Sequence, residues 1–277
     1  MEYVCLNRGT TGGNLSQEDF VKVAAGAGFA GADVDINYGV QHGTAKLADL
    51  YATHHLRFGG WGAPDFRAES AKLPEGLAQL KKMAPVAAQL KADSCATWIM
   101  PSSDMPFLEN WNFHVSRIKP IADILRDHGL RFGLEFVAPY HLRRKFKHEF
   151  IFTPGLMLEL ADAIGSNVGL LVDSFHCHTA GTTWRHLAEI PAEKIVLAHL
   201  NDAPRVPVGE VLDGERVLPG EGGIDLAGFL KAIRSTGYNG PMSLEVFNKQ
   251  LGAMPAPQAA ALAWQATNRV LQGAAAQ

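Results

Sequence analysis

The sequence predicts an α/β fold, a single (β/α)8 TIM barrel spanning residues 1–277. Three observations predict it. Short apolar runs rich in strand formers alternate with amphipathic stretches along the whole chain, in strand-then-helix units spaced roughly 30 residues apart. No Pro/Gly/Ser linker or low-complexity run divides them. The runs expected as the last four strands each end on a residue type that binds metals, where a barrel gathers its chemistry at one mouth. A doubly wound open sheet is the alternative, and it is disfavoured because no GxGxxG follows the first strand.

The first strand is expected at residues 3–7. It is followed by "SQEDFVKVAAGAGF", where Phe20, Val21, Ala24 and Ala25 recur at helical spacing and Ser16 suits the N-cap. A strand at 32–36 and a helix at 45–54 come next, then a strand at 56–60 and the helix "LPEGLAQLKKMAPVAAQL". The strand at 95–100 precedes "HVSRIKPIADILRDHG", and the strand at 131–136 precedes "PGLMLELADAIG". Residues 168–173 form the sixth strand, with a short helix at 183–189. Residues 194–200 form the seventh, with "IDLAGFLKAIRSTG" as its helix. A last strand at 241–246 and a helix at 257–271 close the series, and "GAAAQ" reads as a frayed tail.

Hydrophobic residues make up 47% of the chain and charged residues 19%, an ordinary globular composition with ample core. The net charge of −3 gives no basic footprint for nucleic acid or an anionic membrane, so the expected partner is a small molecule. Cys5, Cys95 and Cys177 are odd in number and far apart, which argues against a disulfide framework and for a reducing compartment. The N-terminus is too short and polar for a signal peptide, and no apolar run approaches 18 residues. A cytoplasmic protein is expected.

"LLVDSFHCH" (170–178) runs three aliphatic residues into an aspartate. "RFGLEF" carries Glu135, "KIVLAHLND" carries His199 and "PMSLEVF" carries Glu245, at matching places near the strand ends. A buried carboxylate is costly unless it is paired or bound to a cation, and three in one pocket repel. A divalent cation resolves both problems. The expected metal ligands are therefore Glu135, Asp173, His199 and Glu245. Taken singly, Asp173 could equally cap the next helix, and a lone His199 could be a hydrogen-bonded wall histidine. Three oxygen donors with one imidazole suit Mn²⁺, Co²⁺ or Mg²⁺ and admit Zn²⁺.

With those residues in view, the chain resembles the sugar phosphate isomerase/epimerase superfamily, the xylose-isomerase-like barrels. It is most similar there to the inosose isomerase and ketose epimerase branch. The carrying residues are "GLEF" (133–136), "NVGLLVDSFHCH" (167–178), "AHLND" (198–202), "DGERVLPGEGGIDL" (213–226) and "MSLEVF" (242–247). The likeness implies one divalent metal on Glu135, Asp173, His199 and Glu245, with Glu135 and Glu245 as the acid/base pair. It implies that His176 holds a substrate oxygen from a turn after Asp173. It also implies a substrate-binding arginine just before the Pro-Gly turn, which favours Arg216 over Arg205. Asp202 is expected to orient His199 or to pair with an arginine. "FGGWG" (58–62), Trp98 and Trp184 are candidates for an apolar wall, and the basic "HLRRKFKHEF" (141–150) for a lid or a homo-oligomer contact.

Such a site fits an isomerase or epimerase of a keto-sugar or keto-inositol, working through an enediolate. A dehydratase of the inosose or 3-dehydroshikimate type needs the same metal and base and stays open. An abasic-site endonuclease, which shares this barrel, needs further His and Asp ligands and a basic face, and the −3 charge counts against it.

Overall fold

The computed structural model describes residues 3–67 and 72–275. Strand β1 (Tyr3–Leu6) leads to helix α1 (Gln17–Ala27), whose N-cap Ser16 accepts the Asp19 N–H as the sequence suggests. Strand β2 is only Gly31–Ala32, because Asp35 caps α2 (Ile36–His42) by accepting the Asn37 N–H. The strand expected at 32–36 is thereby cut short, and α3 (Thr44–Thr53) follows. The strand expected at 56–60 is likewise broken: β3 (Arg57–Phe58) and β4 (Trp61–Gly62) flank Gly59 and Gly60.

From α4 (Leu73–Leu90) onward the elements are longer. Strand β5 (Ser94–Ile99) is followed by the two-residue β6 (Ser102–Ser103) and by α5 (Phe107–Asp127), which starts well before the expected residue 114. After β7 (Arg131–Phe136) come α6 (Tyr140–Arg143) and β8 (His148–Glu149), and β8 pairs antiparallel with β6. The basic segment is thus tied down rather than loose. Then follow α7 (Pro154–Ile164), β9 (Val168–Asp173), α8 (Ser174–Thr179), α9 (Trp184–Ala188), β10 (Ile195–Leu200) and α10 (Leu226–Ser235). Strand β11 (Pro241–Leu244), α11 (Lys249–Gly252) and α12 (Ala256–Ala275) complete the chain.

Nine strands form one parallel sheet in the order β3-β2-β1-β11-β10-β9-β7-β5-β4. Its two ends, β3 and β4, are separated in the chain by two glycines alone. The sheet curls on itself: Ser94 Oγ on β5 donates to the Val196 carbonyl on β10 at 3.0 Å, and these strands are not neighbours.

Side-chain alternation assigns the two faces. Phe132, Leu134 and Phe136 of β7, with Leu170 and Val172 of β9, point outward into the main core against Ile118, Ile121, Leu125, Leu160 and Ile164 of the helices. Burying each such side chain stabilises by about 1.5–3 kcal/mol. Ala96, Leu171 and Leu197 form a separate small cluster on the inward face. Two residues beyond Leu171 and Leu197 the same parity points Asp173 and His199 inward, and it does the same for Glu135 and Glu245.

Candidate metal centre

Register brings these four residues together. Asp173 pairs with His199, His199 with Ser243, and Glu135 with Leu171. Glu245 follows β11, held by its N–H donating to the Leu200 carbonyl at 3.1 Å. Each of Glu135, Asp173, His199 and Glu245 offers one donor atom, and these atoms lie within 4.8 Å of one another. All four residues are buried, exposing at most 9%. His199 Nδ1 stands 3.3 Å from Glu245 Oε2, 3.6 Å from Glu135 Oε1 and 3.7 Å from Asp173 Oδ2. Among the described residues, both ring nitrogens of His199 and Glu135 Oε1 are buried without a hydrogen-bond partner. Such orphaned donors and acceptors fit a cation held among them.

The electrostatics agree. Burial pushes the Glu135 carboxyl up, opposed by His199 and His176. Burial favours a neutral His199 ring, but Glu245 and Glu135 outweigh it and hold the ring well above its usual value. Glu245 is also pushed up by burial, yet His199 and Arg216 bring it down to about 2. Asp173, Glu245, Asp213 and Glu135 all face Arg216, the fixed cation among them, so negative charge remains that a divalent ion would offset while allowing a neutral His199.

Asp173 takes the capping role and also stands in the cluster. Its Oδ1 caps α8, accepting the Phe175 N–H at 2.6 Å and the His176 N–H at 3.2 Å, and Asn201 Nδ2 donates to both its oxygens. His176 therefore stands on a short helix, not a turn, with Nε2 3.9 Å from Glu135 Oε1. Arg216 is 1% exposed. Its Nη1 donates to Asp173 Oδ2 at 3.0 Å and Glu245 Oε2 at 3.1 Å, its Nη2 to Asp213 at 2.9 Å, and it lies between the rings of Phe175 and Phe247. Arg205 is exposed and lines neither of the two cavities beside the cluster.

Asp202 takes neither expected role. Its oxygens accept the backbone N–H groups of Ala203, Gly220, Gly222 and Ile224 at 2.8–3.0 Å, folding the "PGEGG" loop onto the end of β10. A Cβ on Gly222 would lie 2.1 Å from the Ala203 carbonyl, so only glycine fits there. Asp202 also pairs through its backbone with Val217, which places Arg216 beside the carboxylates.

A sequence profile described as the xylose isomerase-like TIM barrel matches residues 21–268. The chain belongs to the xylose isomerase-like TIM barrel family. An inosose isomerase of Bacillus velezensis is 25% identical over 97% of this chain and 96% of its own length. A 3-dehydroshikimate dehydratase of Pseudomonas aeruginosa is 44% identical, over 32% of this chain and 14% of its own length. Among solved structures, the IolI protein with a binding zinc atom superimposes with a TM-score of 0.79 at 24% identity, covering 98% of both chains.

In this xylose isomerase-like barrel, two cavities flank the cluster and share Trp98, Glu135 and Glu245. The first, about 250 Å³, includes Gly60, Trp61 and Gly62 of the expected wall, and adds Asn7 and Asp33, which the sequence reading passed over. The second, about 350 Å³, is lined by His176, Asp213, Arg216, Phe247 and Leu142 of the basic segment. Asn7 ends the strand expected at 3–7, where the rule used for the last four strands would have found it; Asp33 lay inside the strand expected at 32–36 and follows a strand end only because β2 stops at Ala32. Trp184 is no part of the wall. It packs edge-on against Phe229 and donates to Asp225, out among α9 and α10.

Proposed function

We propose that the chain is a divalent-metal-dependent isomerase or epimerase of a keto-sugar or keto-inositol, acting through an enediolate. The cluster of Glu135, Asp173, His199 and Glu245, donor atoms within 4.8 Å and oriented inward from successive strands, carries this reading. The full-length likeness to an inosose isomerase supports it. The four residues would hold the metal, with Mn²⁺, Co²⁺ or Mg²⁺ suiting the donors and the zinc of the IolI protein extending the choice. When bound, the ion supplies Lewis acidity that stabilises negative charge developing on a substrate carbonyl oxygen. Glu135 and Glu245 face both cavities, so one removes the proton beside the carbonyl and the other returns one. Return to the opposite face of the same carbon gives the epimer, and return to the adjacent carbon moves the carbonyl. His176 and Arg216, lining the second cavity, hold substrate oxygens. The same reading counts β3 and β4 as one stave interrupted at Gly59–Gly60, which makes the ring eightfold, and takes residues 1–277 as one working domain.

The identity to a 3-dehydroshikimate dehydratase supports a second reading, loss of a β-hydroxyl after the same proton abstraction. Proton NMR in D₂O with an inosose, ketohexoses and 3-dehydroshikimate tests both. Deuterium entering beside the ketone with an epimer or isomer as product is expected. A new vinyl resonance would favour the dehydratase. No exchange with any of them, together with a purified protein that holds no metal, would overturn the proposal.

A further inference from the structure

The cavity on the β1–β4 side carries a polar pair that the acid/base chemistry does not use. Asp33 Oδ1 accepts the Gly60 N–H at 3.1 Å and the Ser243 hydroxyl at 2.5 Å, and Oδ2 accepts Asn7 Nδ2 at 2.8 Å. Asn7 Oδ1 is itself engaged by the Gly9 N–H at 2.7 Å. Each carboxylate oxygen has about two acceptor sites and an amide nitrogen two donors. Oδ2 of Asp33 therefore keeps one acceptor site and Asn7 keeps one N–H. An acceptor beside a donor matches two neighbouring hydroxyls, each of which gives one hydrogen bond and takes another. The segments after β1, β2 and β3, and β11 itself, all hold this pair, so little ordering is left for binding to impose.

The charges around it select against anions. Among the described residues that line the two cavities, Arg8 and Arg216 are the cations other than histidine. The Arg8 guanidinium lies over Phe20 and donates to the Leu15 carbonyl and to Gln17. Arg216 is bound to Asp173, Glu245 and Asp213. A carboxylate or phosphate entering here would find the Arg216 charge already shared among three carboxylates, with only its Nε–H left to donate, and would face Asp33 and Asp213 as well. We propose that Asp33 with Asn7 forms a hydroxyl-binding subsite that makes the chain selective for an uncharged polyhydroxylated substrate over one bearing a carboxylate or phosphate. This rests on the isomerase reading of the same site and narrows its substrate.

Calorimetric titration of the Mn²⁺-loaded protein with two unreactive ring compounds tests it: myo-inositol, uncharged, and shikimate, a carboxylate. The wild type is expected to bind myo-inositol at least about tenfold more tightly than shikimate. Asp33→Asn removes one charge and keeps the shape. It should weaken myo-inositol about tenfold, as losing a hydrogen bond to a charged group does, and shrink the preference over shikimate. Asn7→Ala should weaken myo-inositol about threefold and leave the shikimate affinity alone. Metal content and melting temperature of each variant report whether the fold is kept. Shikimate bound as tightly as myo-inositol by the wild type, or no binding of either, overturns the subsite and needs no variant. An Asp33→Asn protein in which both affinities are unchanged, or fall by the same factor, shows Asp33 to be a pin between strands and overturns it too. The isomerase reading fails separately, through absent metal and absent deuterium exchange in a keto-substrate.

Discussion

Strands β7, β9 and β10 run six residues each in parallel register and carry Glu135, Asp173 and His199 inward; β2, β3 and β4 run two residues each. The long ladders fix donor atoms to within a few ångströms, because neighbouring strands pair residue for residue toward the ends that carry them, as Asp173 does with His199. The short ones leave backbone free, and Asp33, Asn7 and Gly60 use that freedom to build a cavity wall by hydrogen bonds. One half of the ring holds charge at a point and the other makes room for what binds there.

The largest effect expected within the first half is on turnover. Glu245→Gln keeps the shape and one acceptor oxygen but cannot accept a proton, so kcat should fall by about 10²–10⁴-fold at saturating metal. Turnover within threefold of wild type, with metal bound, would make Glu245 a structural group and leave proton transfer to another residue.

Asp202→Ala comes next. Removing the acceptor of four backbone N–H groups, three of them buried, should cost about 3 kcal/mol, measured by denaturant unfolding, and should raise KM because Arg216 rides on the same loop. A KM unchanged despite the lost stability would separate Arg216 placement from the Asp202 loop.

Metal should stabilise the chain by about 2.7 kcal/mol at a free concentration one hundred times its Kd. The gain has a pH dependence with a definite sign. In the metal-free chain, Glu135 and His199 are raised in the folded state. Their stabilisation is complete below their ordinary values of 4.5 and 6.5 and is lost as pH climbs through the raised ones. Glu245, lowered to about 2, acts oppositely, and its contribution is lost only as pH falls from about 4.5 toward 2. A metal takes the place of the His199 proton, so the melting-temperature gain with Mn²⁺ should grow from pH 6 to pH 8. A gain that is flat or falls over that range would contradict His199 as a ligand.

The smallest effect belongs outside both halves. Trp184→Phe loses one exposed hydrogen bond to Asp225 and should cost under about 1 kcal/mol, with kcat/KM within twofold of wild type. A larger change in kcat/KM would return Trp184 to the substrate wall.

How legible each part was follows from the same contrast. Runs such as "LLVD" and "IVLAHL" are apolar on both faces and carry a metal-binding residue type at or next to their end, so strand, burial and strand end could all be read from the letters. "GADVDINYGV" also looks like a strand, but the side chain of Asp35 competes for the backbone and starts a helix at Ile36. The four metal-ligand candidates were legible as a set because each obeyed one rule. Asp202 was not, since its partners Gly220, Gly222 and Ile224 lie roughly twenty residues downstream and bond through backbone that no side-chain letter announces. Trp184 was misread because an aromatic near a site motif carries no direction.

The cap on α8 also bears on which ions the site would refuse. Asp173 Oδ1 is engaged by two amides of its own helix, so only Oδ2 is presented toward His199. Held this way, the carboxylate could offer a metal one oxygen, and turning it to offer both would uncap the helix. Calcium, which takes about six to eight oxygens and often draws both from one carboxylate, is poorly served by such a donor. The secondary structure of six residues, Ser174–Thr179, would thereby act as a filter on denticity, and through denticity on the periodic table.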